Sequence, residues 1–84
     1  MGTRTAAYSL LQLDHRYLNV WMLDDGNYAV AYQGADVKDG IGLLGVFGKG
    51  ESFELACADY MTRIRGKTLV FDADSENRKE VFVM

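Results

Sequence analysis

Few side chains in this 84-residue chain are suited to bond-making chemistry. The sole histidine, His15, stands between Asp14 and Arg16, and the sole cysteine is Cys57. A His–Cys dyad needs imidazole and thiol in hydrogen-bond reach, and general-base work needs a positioned partner. Cys57 instead falls on an apolar helical stripe, where a thiol behaves as a small hydrophobe. Asp24, Asp25, Asp36 and Asp39 bring carboxylates close in sequence. Hard-cation loops need oxygens in a defined order, which neither Asp24-Asp25 nor Asp36-x-x-Asp39 supplies. Turn formation accounts for these aspartates. Gly40, Gly42 and Gly45 spell G-x-G-x-x-G, but Val46-Phe47 follows where a dinucleotide site needs a helix. Gly48-Lys49-Gly50 lacks the Ser/Thr and the spacing of a P-loop. The expectation is no enzymatic activity, no metal and no cofactor.

Charge gives a second kind of candidate. Arg63, Arg65 and Lys67, with Arg78 and Lys79, are the basic residues of the C-terminal third. They are the residues a nucleic-acid-binding accessory domain would use. Arg63 and Arg65 also suit the negative end of a helix dipole. The chain as a whole is acidic, with net charge −3, which disfavours a phosphate backbone as partner. Residues 22–59 carry seven acids against two bases. That segment reads either as an ordinary mixed surface or as an acidic face for a basic partner surface.

The elements that must position these groups are legible to different degrees. From Lys49 to Gly66 the apolar residues Phe53, Ala56, Cys57, Tyr60, Met61 and Ile64 follow helical spacing. Ser52 is the expected cap at the start and Gly66 the left-handed stop. Upstream, Tyr17–Leu23 and Asn27–Gln33 read as strands of a hairpin. Asp25-Gly26 predicts a two-residue type I′ turn between them. That register faces Trp21 to Val30 and Asn19 to Tyr32. It lays the helix on the Val20, Met22, Ala29 and Ala31 face. Trp21, Tyr28, Val30 and Tyr32 then form the opposite face, either a second core or an exposed aromatic surface. Residues 34–40 read as a loop, 41–47 as a third strand, and 48–50 as a turn into the helix. Thr68–Phe71 and Glu80–Met84 complete the strands. Residues 1–16 suggest a short helix or an irregular lead-in.

The fold expected is α+β: an antiparallel sheet in β-β-β-α-β-β order with one long amphipathic helix on one face. Residues 1–84 make one small domain, which buries ~60 to 65 % of its unfolded surface. A lone cysteine fits a reducing compartment. No apolar run reaches membrane-spanning length, so a cytoplasmic location is expected.

The run from Tyr17 resembles the small antitoxin domain of the HicB type over about residues 17–71. The matching pieces are Gly26-Asn27-Tyr28 at the hairpin and Gly50-Glu51-Ser52-Phe53-Glu54-Leu55-Ala56 at the helix start. The resemblance implies the sheet-plus-helix layout. The family's proline before the third strand is missing and Leu55 replaces a typical second Glu. No helix-turn-helix or ribbon-helix-helix segment follows the core. The C-terminal stretch from Ile64 is similar to small proteins of phages and mobile elements in Gram-positive bacteria. That group includes inhibitors of host defence, anti-CRISPR proteins among them.

These readings converge on a non-enzymatic phage or mobile-element accessory protein that binds and occludes a protein partner. The expected partner-binding residues are Trp21, Tyr28, Val30, Tyr32, Leu55 and Asp59, with a homodimer as a related arrangement. The alternative is nucleic-acid binding through Arg63, Arg65, Lys67, Arg78 and Lys79.

Overall fold

The computed structural model describes residues 17–84. His15 and the lead-in expected over 1–16 lie outside the described residues. The first element is a hairpin of β1 (Leu18–Met22) and β2 (Tyr28–Tyr32). Its loop departs from the expected type I′ turn. The Gly26 N–H donates to the Leu23 carbonyl at 3.0 Å, and Leu23 N–H donates to Asn27 O at 2.8 Å. Gly26 alone in the loop takes a positive φ, +86°, while the Asp25 carboxylate accepts from Asn27 N–H at 3.0 Å. The loop is therefore Asp24-Asp25-Gly26, a type I turn closed by a left-handed glycine.

One extra loop residue slips the register by one, and a slip of one turns β1 over relative to β2. Trp21 faces Ala29, Val20 faces Val30, and Met22 faces Tyr28. The expected pairing of Trp21 with Val30 is thereby corrected. So is the expected helix-bearing face. The helix covers Val30 and Tyr32, both buried, with Tyr28 packed against the same core.

A tight turn with Gly34 at φ +73° leads into β3 (Ala35–Asp39), where a loop was expected. Its period-two pattern buries Val37 and exposes Lys38. The expected strand 41–47 is shortened to three residues, and the expected turn at 48–50 is itself a strand. β4 (Gly42–Leu44) pairs with β3, whereas β5 (Gly48–Gly50) pairs with β2. Thr68–Phe71 forms β6 as expected, and β7 spans Lys79–Phe82. The strands make two antiparallel sheets, ordered β1-β2-β5 and β4-β3-β6-β7.

The helix α1 spans Phe53–Ile64. Ser52 Oγ accepts from Leu55 N–H at 3.2 Å, satisfying one of the orphan donors of the first turn. At the other end Gly66 has φ +76°, and its N–H donates to Val83 O at 2.7 Å. Ala56, Cys57, Tyr60 and Ile64 are buried, with Phe53 and Met61 packed against the core. The helix sits on β5, where Gly48 and Gly50 stand opposite Val30 and Tyr28 and so share their face. A Cβ at Gly48 would overlap the Ala56 carbonyl and Tyr60, and one at Gly50 would lie 2.6 Å from Ala56 N. Tyr32 N–H donates to Tyr60 Oη at 3.1 Å, and the Tyr32 ring lies 5.7 Å from Phe71 in the second sheet. The helix thus joins both sheets into one core.

Gly48→Ala is expected to destabilise the fold by about 1–3 kcal/mol through overpacking. Urea denaturation measures this as a lowered midpoint. Gly45→Ala, whose new Cβ would meet nothing closer than Asp36 Oδ1 at 3.9 Å, should leave the midpoint nearly unchanged.

Candidate functional site

The slipped hairpin redistributes the residues expected to meet a partner. Val30 and Tyr32 are 0 % and 2 % exposed, so neither is available at the surface. Tyr28 is half-buried on the helix side. Trp21 lies on the opposite face and is 40 % exposed. It does not stand alone there. Its ring packs on Phe47 at 5.7 Å, in a tilted arrangement favourable for aromatic pairs. Ala29, opposite Trp21, is fully buried. Lys49 follows Ala29 across the sheet, and a hollow beside Phe47 is lined by Gly45, Val46, Lys49 and Arg63.

Charged groups bind the rim of this face together. Lys49 Nζ meets Asp25 Oδ2 at 2.7 Å, tying β5 to the hairpin loop. That ammonium, helped by the Asn27 N–H, holds the Asp25 carboxyl down at about 2. Asp59 Oδ2 accepts from Lys49 N–H and from Arg63 Nε, each at 2.8 Å. Burial raises the Asp59 pKa, but those two donors outweigh it and the net shift is downward. Asp59 is therefore engaged in clamping the helix to β5. Leu55 is 46 % exposed, and its Cβ overhangs Gly50.

The basic candidates separate into two groups. Arg63 is paired with Asp59, and Arg78 Nη2 with Glu80 Oε2 at 3.1 Å. Thr68 faces Phe82 while Phe71 faces Lys79. Lys67 and Lys79 therefore lie at opposite ends of β6, more than about 10 Å apart along the ladder. Arg65 and Lys67 are exposed just beyond the helix. Glu80, held by Arg78 and Lys38, has its pKa lowered.

Cys57 is fully buried, and burial together with the Glu54 charge pushes its thiol up to about 11. It is a core side chain, as its place on the stripe implied. Among the described residues no group of three or more His, Cys, Asp or Glu is placed to hold a metal ion.

No family model, no curated protein and no solved structure matches the chain. The surface must therefore be read from its own chemistry. No helix among the described residues is long and apolar enough to cross a membrane.

Sequence reasoning missed Phe47, Val20 and Met22, which are 42 %, 47 % and 58 % exposed. Val20 and Met22 share the helix-side face of β1, beyond the reach of the helix. Trp21 projects from the other side, so β1 presents apolar side chains on both faces. The signal available was negative: from Tyr17 to Leu23 there is no charged residue.

Two measurements check the electrostatics. Asp25, Asp59 and Glu80 have folded pKa values below their unfolded ones, so the native state binds fewer protons in acid. Their contribution is complete only above the unfolded carboxylate range, at about pH 5 and higher, and is lost as pH falls through each folded value, which for Asp25 lies at about 2. In urea titrations at several pH values, Asp59→Asn should lower stability at neutral pH and flatten the acid limb. A thiol reagent at pH 8 should leave Cys57 unmodified in the native protein and label it fully after denaturation.

Proposed function

We propose that this protein is a non-enzymatic accessory protein that acts by binding a partner protein and occluding its surface. The observation that carries this reading is the Trp21–Phe47 pair, set beside a strand whose apolar side chains are exposed on both faces. Aromatic rings in exposed, packed pairs are the residue types that dominate binding energy at protein interfaces. An exposed aromatic pair with exposed aliphatic side chains on the strand of Trp21 is the kind of apolar surface that partners use. Asp24, two residues from β1, and Glu51 are exposed, and the segment 22–59 carries seven acids against two bases. Such a rim favours a partner with basic residues around an apolar centre and speeds encounter with it.

A phage or mobile-element origin, which the resemblance of the C-terminal stretch implies, would make the target a host protein, including a component of host defence. The nucleic-acid reading has less behind it. Arg63 and Arg78 are engaged by carboxylates, and the basic residues form two groups at opposite ends of a strand.

The test is a quantitative pull-down from host lysate with wild-type protein and Phe47→Ala as baits. Wild type should recover a stoichiometric partner, and Phe47→Ala should lower its affinity by about tenfold or more, as for a hot-spot truncation. Absence of a stoichiometric partner, or equal recovery by both baits, would count against the reading. Recovery of nucleic acid that falls off with salt would favour the basic residues instead.

A further inference from the structure

We infer that β1 is a self-pairing edge. Two copies join antiparallel about a two-fold axis at Val20, fusing their three-stranded sheets into one of six strands. The inference goes beyond the partner reading and does not depend on it.

The backbone states which groups are unused. Among the described residues β1 is terminal in its sheet. Tyr17 O accepts from Gln33 N–H at 2.9 Å, and Leu23 N–H donates to Asn27 O at 2.8 Å. In an antiparallel ladder the residues alternate between facing the partner strand and facing away. The odd-numbered residues bond to β2, so Leu18, Val20 and Met22 direct their N–H and C=O groups to the open edge.

Sheet edges are ordinarily protected by charge, proline, bulges or extreme shortness. The outer strand β7 carries Lys79 and Glu80, the latter paired with Lys38 and Arg78. β4 and β5 are three residues each, and β5 lies under the helix. β1 is five residues long and regularly paired, and Tyr17–Leu23 contains no charge, proline or glycine. Among the described residues it has no charge, proline, bulge or covering element to protect it.

The open edge is complementary to itself in one register. With Val20 opposite Val20 of the second copy, Leu18 stands opposite Met22, and every outward donor meets an outward acceptor. On the helix-side face Leu18, Val20 and Met22 meet only apolar counterparts. On the other face Trp21 stands opposite Asn19, and Tyr17, 82 % exposed, stands opposite Leu23. No like charges oppose each other. A shift by two residues leaves either Leu18 or Met22 unpaired and brings Asp24 against the apolar run. The second copy is the occupant assigned because it supplies an apolar counterpart at each of Leu18, Val20 and Met22 and, in the antiparallel direction, keeps the two acidic Asp24-Asp25 loops at opposite ends.

One strand pair buries less than the ~1,600 Å² of a standard interface, so association is expected at the weak end and depends on concentration. Sedimentation equilibrium of the full chain, taken up to about 1 mM to reach that weak range, is the test. Wild type should approach twice the 9.4 kDa chain mass. Val20→Pro removes an outward N–H without touching the β1–β2 ladder and should sediment at the chain mass. Val20→Lys keeps the backbone intact and places like charges across the two-fold axis, so it too should be monomeric if the proline variant fails to fold. Near-UV circular dichroism checks that each variant retains its core. Wild type at the chain mass throughout would overturn the inference, as would dimers that persist in a folded Val20 variant. Phe47→Ala should remain dimeric, which separates failure here from failure of the partner reading.

Discussion

The close approach of α1 to the backbone of β5 is the constraint on which the rest of this structure depends. Gly48 and Gly50 carry no Cβ, and the space one would fill is taken by the Ala56 peptide, Tyr60 and Leu55. The helix therefore sinks onto β5 instead of riding on side chains. That depth brings Tyr60 Oη to the Tyr32 N–H and buries Cys57 and Ile64 between the two sheets. It also fixes what the helix leaves uncovered. A helix with its side chains is ~10–12 Å across, and β1 lies two strand spacings, about 10 Å, from β5. A helix seated on β5 covers β2 but not β1, so Val20 and Met22 are left exposed. The surface follows from the packing.

The polar contacts around this junction orient more than they stabilise. Asp59 accepts from Lys49 N–H and Arg63, and Lys49 reaches Asp25, so one chain of contacts runs from helix to β5 to hairpin loop. All of these groups are partly solvated, and exposed ion pairs contribute little net stability, typically ~0–1 kcal/mol. Their geometric effect is larger. They hold the loop and the strand before the helix in one arrangement, and Trp21 and Phe47 project from that arrangement on the opposite face. Stability itself rests on Tyr32, Tyr60, Phe71 and the aliphatic residues between them.

How much of this was legible in the sequence depended on whether the controlling physics was local. The helix was legible because its stripe, the Ser52 cap and the Gly66 stop all act within a few residues. Thr68–Phe71 was legible as a short apolar run. The hairpin was legible as an element but not in register, because Asp24-Asp25-Gly26-Asn27 is compatible with two- and three-residue loops. The Asp25 carboxylate bonded to Asn27 N–H accompanies the longer one. That single residue moved Val30 and Tyr32 from an expected surface to the core. Residues 35–39 were obscured by flanking glycines and aspartates, although Ala35 and Val37 keep the period of a strand. Gly48 and Gly50 read as a turn, since their need to be glycine comes from a helix that follows them in sequence and lies over them in space.

An uncharged edge is hazardous for most small proteins, because it accepts any strand in any direction. The distribution of charge here narrows that freedom. Asp24 and Asp25 sit in the loop immediately after β1, and only Asp25 is partly neutralised, by Lys49. Two copies approaching with β1 parallel would bring both acidic loops to the same end, at a separation of the order of the ~5 Å strand spacing. Like charges at that distance repel even when solvated, and within a Debye length of ~8 Å salt does little to screen them. The antiparallel approach sends the loops to opposite ends. A strand pair centred on Val20 separates them by about the length of β1, more than 15 Å at ~3.4 Å per residue. In the self-paired arrangement proposed for β1, the backbone permits pairing and the acids of the adjoining loop favour the antiparallel direction.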